Sequence, residues 1–116
     1  MLVKRLRLVK EKDFKIIFKL GKSFYAKIFR IKVLANKLGF NRYGIVISTK
    51  VSKKAVKRNK LKRQFRSIIK EFDKKIIAGF DLVIIVSPIA LNQEYKFIKN
   101  ELERILFTLK LFKLNK

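Results

Sequence analysis

Cysteine and histidine are both missing from this 116-residue chain, and tryptophan with them. Without cysteine there can be no disulfide framework, no thiolate metal site and no thiol nucleophile. Without imidazole, the commonest general base and the commonest transition-metal ligand are gone. What remains for acid chemistry is Asp13, Asp73, Asp81 and five Glu, none of them forming a close acidic cluster along the sequence. A self-contained protein nuclease is hard to build from that set, so no catalytic residue and no metal ligand is expected in the chain. Long apolar runs are also lacking. Phe80 to Ala90 is the longest, and Asp81, Ser87 and Pro88 interrupt it, well short of the ~18 residues of a membrane span. The amino end, Met1 to Val9, is basic, but the charged stretch Lys10 to Asp13 follows where an export signal needs apolar residues. A soluble, cytoplasmic protein is expected.

Negative charge is scarce as well. Eight Asp and Glu stand against 31 Lys and Arg, a formal charge of +23. Self-repulsion on that scale disfavours a compact state unless a polyanion neutralises it, so the partner should be acidic. Yet 49% of the residues are hydrophobic, eleven of them Phe, which is ample for a core. The length suits one domain over residues 1–116.

Periodicity divides the chain into elements. Phe14, Ile17 and Phe18 sit at helical spacing within Lys10 to Leu20, and Gly21 follows as a C-cap. From Phe24 to Leu34 the period changes to two, with Phe29, Ile31 and Val33 alternating against Ile28, Arg30 and Lys32. That pattern predicts a strand with an apolar and a basic face. Asn36 to Asn41 reads as a connection, and Tyr43 to Ile47 as a further strand. Leu61, Phe65, Ile68, Ile69 and Phe72 form a helical stripe that must face a core, with the regular helix starting near Lys57 because Val56 falls off it. Phe80 to Val86 reads as a central strand buried on both faces, ended by Pro88. Asn92 can cap a last helix whose stripe is Tyr95, Ile98, Leu102, Ile105, Leu106, Leu109 and Phe112. The expected fold is α+β, an α/β sandwich of about four strands in a small mixed sheet with three helices, in the order α-β-β-(β)-α-β-α.

Charge peaks between Lys50 and Arg66, where nine cations occur and no acid. On the helix, Asn59, Arg63, Arg66 and Lys70 recur at i, i+4, i+7 and i+11, roughly opposite the apolar stripe. Guanidinium forks grip phosphates in pairs, Lys supplies point charge, and Asn can address a base edge or a ribose hydroxyl. A merely solvated helix face would carry compensating Glu, and none appears before Glu71.

The run Lys54-Ala-Val-Lys-Arg58-Asn59-Lys60-Leu-Lys62-Arg63-Gln-Phe-Arg66 resembles the signature of the bacterial ribonuclease P protein subunit. Arg7, Asp13-Phe14, Phe18 to Gly21, Tyr43-Gly44 and Asp81 extend the resemblance over nearly the whole chain. It departs from the family at Lys60, where an Arg is usual, and at Lys32, where an aromatic is common. The resemblance implies an accessory subunit of a ribonucleoprotein endonuclease, in which a catalytic RNA with bound magnesium removes the 5′ leader of precursor tRNA. It also implies the fold of a ribosomal-protein-like domain with a left-handed βαβ crossover. By it, Lys53, Lys54, Arg58, Asn59, Lys60, Lys62, Arg63 and Arg66 dock on the catalytic RNA, and Phe14, Phe18, Arg30 and Lys32 hold the leader. Asp13 and Asp81 are expected to cap or to orient. The same residues would also suit a ribosomal or other structured-RNA-binding protein. Two further readings are weaker: the basic helix lacks the partner helix of a helix-turn-helix DNA binder, and its apolar stripe is needed for the core rather than for a membrane surface.

Overall fold

A computed structural model describes residues 6–113, so the basic amino end read from Met1 to Val9 lies outside it for its first five residues. Helix α1 (Glu11–Leu20) is followed by strands β1 (Lys22–Tyr25), β2 (Phe29–Ala35) and β3 (Arg42–Val46), helix α2 (Ala55–Phe72), strand β4 (Phe80–Val86) and helix α3 (Tyr95–Thr108). The strands form one mixed sheet in the order β1-β2-β4-β3, in which only β3 and β4 run parallel. That pair, joined through α2, is the βαβ unit to which the resemblance assigns a left-handed crossover.

Period-two alternation divides the sheet into two faces. Phe29, Ile31, Leu82, Ile84 and Tyr43 point into the main core, which α2 and α3 close with Leu61, Phe65, Ile68, Ile98 and Leu102. Phe29 meets Phe65 edge to face, ring centroids 6.1 Å apart. The other face has a smaller core: Ile17 of α1 packs with Leu8 and Val83, flanked by Phe14, Leu34, Val46 and Ile85. Strand β4 therefore contributes to both cores, as its unbroken apolar run requires.

Three sequence expectations need correction. The single strand expected over Phe24 to Leu34 is a hairpin, with Lys22↔Val33 through Tyr25↔Arg30 paired antiparallel and Ile28 turned inward and fully buried. Helix α2 starts at Ala55 rather than Lys57, and Val56 is 78% exposed on its first turn. Gly21 is the C-cap of α1, as expected, and its backbone there is extended. Its need for glycine is steric, since a Cβ there would lie 2.5 Å from the Ile17 carbonyl oxygen. Asn92 does not cap α3. It closes a short 3-10 turn over Pro88–Asn92, leaving Glu94 at the cap position, and Leu109 and Phe112 fall beyond the helix.

Tyr43 is buried, and its hydroxyl donates to Asp73 at the end of α2. Burial first, and the Asp73 contact second, push its phenol well above the ordinary value of about 10. The folded chain thus keeps a proton that the unfolded chain loses above pH ~10, so this site's share of stability is lost as pH rises from there. Urea unfolding at pH 9 and at pH 10.5 should show a smaller alkaline loss for Tyr43→Phe than for the parent; equal losses would contradict this assignment.

Candidate nucleic-acid interface

The segment before α1 runs along the outer edge of β3, where Arg7 bridges Tyr43 in parallel and the Leu8 N–H donates to the Tyr43 carbonyl at 2.7 Å. This places Arg7 across from α2. Between them opens a cleft of about 280 Å³ into which Lys62 and Arg66 project from α2, Phe14 from α1, and Gly44 and Ile45 from β3. Arg7, Lys62 and Arg66 bring three positive charges to it, and none of its lining residues is acidic. Burial, then the neighbouring Arg66, lowers the ammonium pKa of Lys62; burial, then Arg7, lowers the guanidinium pKa of Arg66. Both shifts mean that the folded protein holds these charges at a cost, which a bound anion would relieve.

The other motif residues divide around the same helix. Asn59 and Arg63 are exposed on its outward crest, with Lys53 and Lys54 exposed just before it. The Arg58 guanidinium folds back and donates to the Ser52 carbonyl at 2.8 Å, pinning the loop that leads into α2. Lys60 lies on the opposite flank, in a groove shared with Lys57, Gln64, the 3-10 turn residues Leu91 and Asn92, and Gln93 after the turn.

The four residues expected to hold the leader lie on the α1 side of the sheet but do not form one group. Lys32 donates to the Phe18 carbonyl at 2.9 Å and stands 5.7 Å from the centroid of the Phe18 ring, which is 40% exposed. Arg30 lies 5.8 Å over the ring of Tyr25, its cross-strand partner, and its buried Nε has no hydrogen-bond partner among the described residues. Phe14 instead enters the cleft with Lys62 and Arg66. Tyr25, 74% exposed beside Arg30, escaped the sequence reading because the hairpin that sets it on this face carries no Gly, Pro or Asn to mark its turn.

Phe14 is seated by the absence of a side chain at position 44. A Cβ on Gly44 would come within 2.7 Å of the Phe14 ring and 3.4 Å of the Leu8 Cβ. Gly44→Ala is therefore expected to push the ring out of the cleft without changing any charge, since the ring can swing where backbone could not. RNA binding should weaken several-fold while the salt dependence stays the same; a changed salt slope would show that charge, not the ring, had been disturbed.

Arg42 fixes the first turn of α1 to the sheet. Its Nε and Nη2 donate to both oxygens of Asp81 at 2.9 and 2.8 Å, and its Nη1 donates to Asp13 at 3.2 Å. Hydrogen bonding to Asp81 is the main cause that raises the Arg42 pKa further. Asn36 adds a third donor to Asp81 at 2.8 Å. Asp13 and Asp81 thus orient and do not cap: no side chain caps α1. Because Asp13 precedes Phe14, the clamp also sets the direction from which Phe14 enters the cleft.

A mixed sheet backed by two helices, with one basic helix beside a cleft lined by three cations and no acid, defines a small α+β nucleic-acid-binding protein. Comparison with known proteins makes this specific. The Ribonuclease P family model matches residues 2–110. A ribonuclease P protein component of Synechocystis is 41% identical over 105 residues, covering 90% of this chain and 85% of that protein. Solved ribonuclease P proteins superpose closely. That of Staphylococcus aureus gives a TM-score of 0.85 at 34% identity over 93% of this chain and 98% of that one. That of Thermotoga maritima gives 0.79 at 34% identity over 86% and 94%. The chain belongs to the family of bacterial ribonuclease P protein components, the protein subunit of a ribonucleoprotein endonuclease. A ribosomal role is not favoured.

Proposed function

We propose that the cleft lined by Arg7, Lys62 and Arg66, with the crest of α2, is where this subunit meets the catalytic RNA. Lys53, Lys54, Asn59, Lys60 and Arg63 extend the contact along phosphates, and Arg58 acts by holding the loop before α2. Phe18, Arg30 and Lys32 take the 5′ leader of precursor tRNA, Phe18 by stacking and the cations by following its backbone, and Phe14, one turn before Phe18 on α1 and seated in the cleft, stacks on the leader where it reaches the cleft's edge. The observation that carries this reading is three cations drawn around one cleft with no acid lining it. No group of three or more His, Cys, Asp or Glu able to hold a metal occurs among the described residues, and Asp13 and Asp81 are taken by Arg42. In this reading magnesium therefore sits on the RNA, and the chain's part is positioning and charge neutralisation. No helix among the described residues is long and apolar enough to cross a membrane, and work in the cytoplasm is proposed from the family the chain belongs to.

The test is 5′ cleavage of a leader-bearing precursor tRNA by a bacterial ribonuclease P RNA at low magnesium, with and without the protein. Stimulation that needs the RNA supports the reading; no stimulation with a cognate RNA would turn it toward another structured-RNA partner. Arg63→Ala, on an exposed crest position, should weaken assembly with the catalytic RNA by ~1–3 kcal/mol, the scale of a hydrogen bond to a charged group. Unchanged affinity in a filter-binding titration would remove Arg63 from the contact.

A further inference from the structure

A second cationic groove lies at the carboxyl end of α2, where α3 and the last described residues meet it. The chain after α3 is held there by backbone pairing: Ile76 bridges Phe112 antiparallel, the Ile77 N–H donates to the Leu111 carbonyl, and the Lys113 N–H donates to the Lys75 carbonyl, both at 2.7 Å. That pairing draws Lys113 beside Lys75. With Lys74 and Arg104 they line a groove of about 500 Å³ in which Glu103 is the one acidic lining residue. Arg104 also pairs with Glu101 at 2.9 Å, and none of the three lysines is in an ion pair among the described residues.

Two aromatic rings line the same groove. Phe112 is anchored edge-on to Phe72, centroids 5.7 Å apart. Phe107 is not anchored: it is 74% exposed and stands off the buried stripe of α3, which is Ile98, Leu102, Ile105 and Leu106. A flat ring open to solvent, flanked by flexible ammonium groups, matches one base and its neighbouring phosphates. A volume of this size falls in the range of ~300–1,000 Å³ usual for small-ligand sites. Phe107 and Phe112 are the apolar residues among its eight lining residues, too few to receive the apolar face of an amphipathic helix.

We propose that this groove binds single-stranded RNA, one base stacking on Phe107 and the adjoining phosphates lying on Lys75 and Lys113. Asn100, which also lines it, supplies a donor and an acceptor for a base edge. The 18 residues of α2, at ~1.5 Å rise each, separate this groove from Lys54 by about 27 Å. It shares no lining residue with the cleft at Arg66, and its occupation does not depend on the leader reading above.

Photo-crosslinking of a single-stranded hexanucleotide containing 4-thiouridine to the full chain, with adducts mapped by mass spectrometry, tests this. Adducts at Phe107 are expected, and they should fall about tenfold in Lys75→Glu/Lys113→Glu while adducts at Phe18 persist. Lys12→Glu/Lys27→Glu, an equal charge change at two exposed positions on α1 and in the β1–β2 turn, neither of which lines the groove, should leave the Phe107 adducts in place. The proposal fails if no adduct maps to residues 103–113. It also fails if the two double variants behave alike, or if hexaglutamate displaces the oligonucleotide from Phe107 as well as unlabelled hexauridylate does, since either result would mean charge attraction alone.

Discussion

Arg42→Ala is expected to lose about 3 kcal/mol of stability, the lower end of the cost of removing one partner from a buried ion pair. The lower end applies because the Arg42 side chain keeps 22% of its surface in water, whereas Asp81 keeps 6%. With Arg42 gone, Asp81 holds only the Asn36 amide, and a carboxylate charge inside the sheet is left without a counter-ion. For a domain of this size the loss corresponds to roughly 10–15 °C in melting temperature. Arg42→Ala/Asp81→Asn should be more stable than Arg42→Ala alone, because the double change removes the stranded charge as well as its partner. A double variant as unstable as the single would mean that the clamp's value lies in packing and not in charge. Arg42→Lys should recover little, since an ammonium cannot reach both oxygens of Asp81 and Asp13 together.

The second large effect has two opposite signs. Lys62→Gln/Arg66→Gln should raise the melting temperature of the free protein and lower its affinity for the catalytic RNA about 100-fold or more, at ~1.5–3 kcal/mol for each charged hydrogen bond to the RNA that is removed. Both side chains are held with their charged forms disfavoured by burial, and then by a neighbouring cation, Arg66 for Lys62 and Arg7 for Arg66, so neutral replacements relax the free fold. The log–log salt slope of binding should fall by ~2, one for each cation removed. A variant that binds weakly but is also less stable would show that these residues support the fold rather than hold charge ready for a ligand.

The elements that announced themselves in the sequence are those whose pattern comes from local geometry. The stripe Leu61, Phe65, Ile68, Ile69 and Phe72 marked α2, and all five are buried. The run Phe80 to Val86 marked the two-sided strand, and it spans those residues. The basic motif was legible because it is contiguous. What escaped depended on partners far apart in the chain. The hairpin turn at Ala26 to Ile28 has no turn-forming residue to mark it, and its hydrogen bonds, such as Ala26 N–H to the Phe29 carbonyl at 2.9 Å, carry no sequence signature. Asn92 looked like a cap until Pro88 wound the preceding residues into a turn of their own. Arg42 joins carboxylates 29 and 39 positions away, and Phe14 meets Lys62 and Arg66 only because Gly44 leaves room for it.

The place of β4 in the sheet sets the order in which a newly made chain can fold. This strand is the central partner of both β2 and β3, yet it is the last of the four to leave the ribosome. Until Val86 has emerged, β3 lacks its partner strand, and the amino-terminal hairpin and the basic helix have no common core to join. During synthesis the chain therefore exposes its most cationic stretch before it owns the strand that fixes it, among a dense population of RNA. Closure then comes in one late step that pairs residues some fifty positions apart, as Arg30 and Ile85 are, which makes the sheet slow to form for its size.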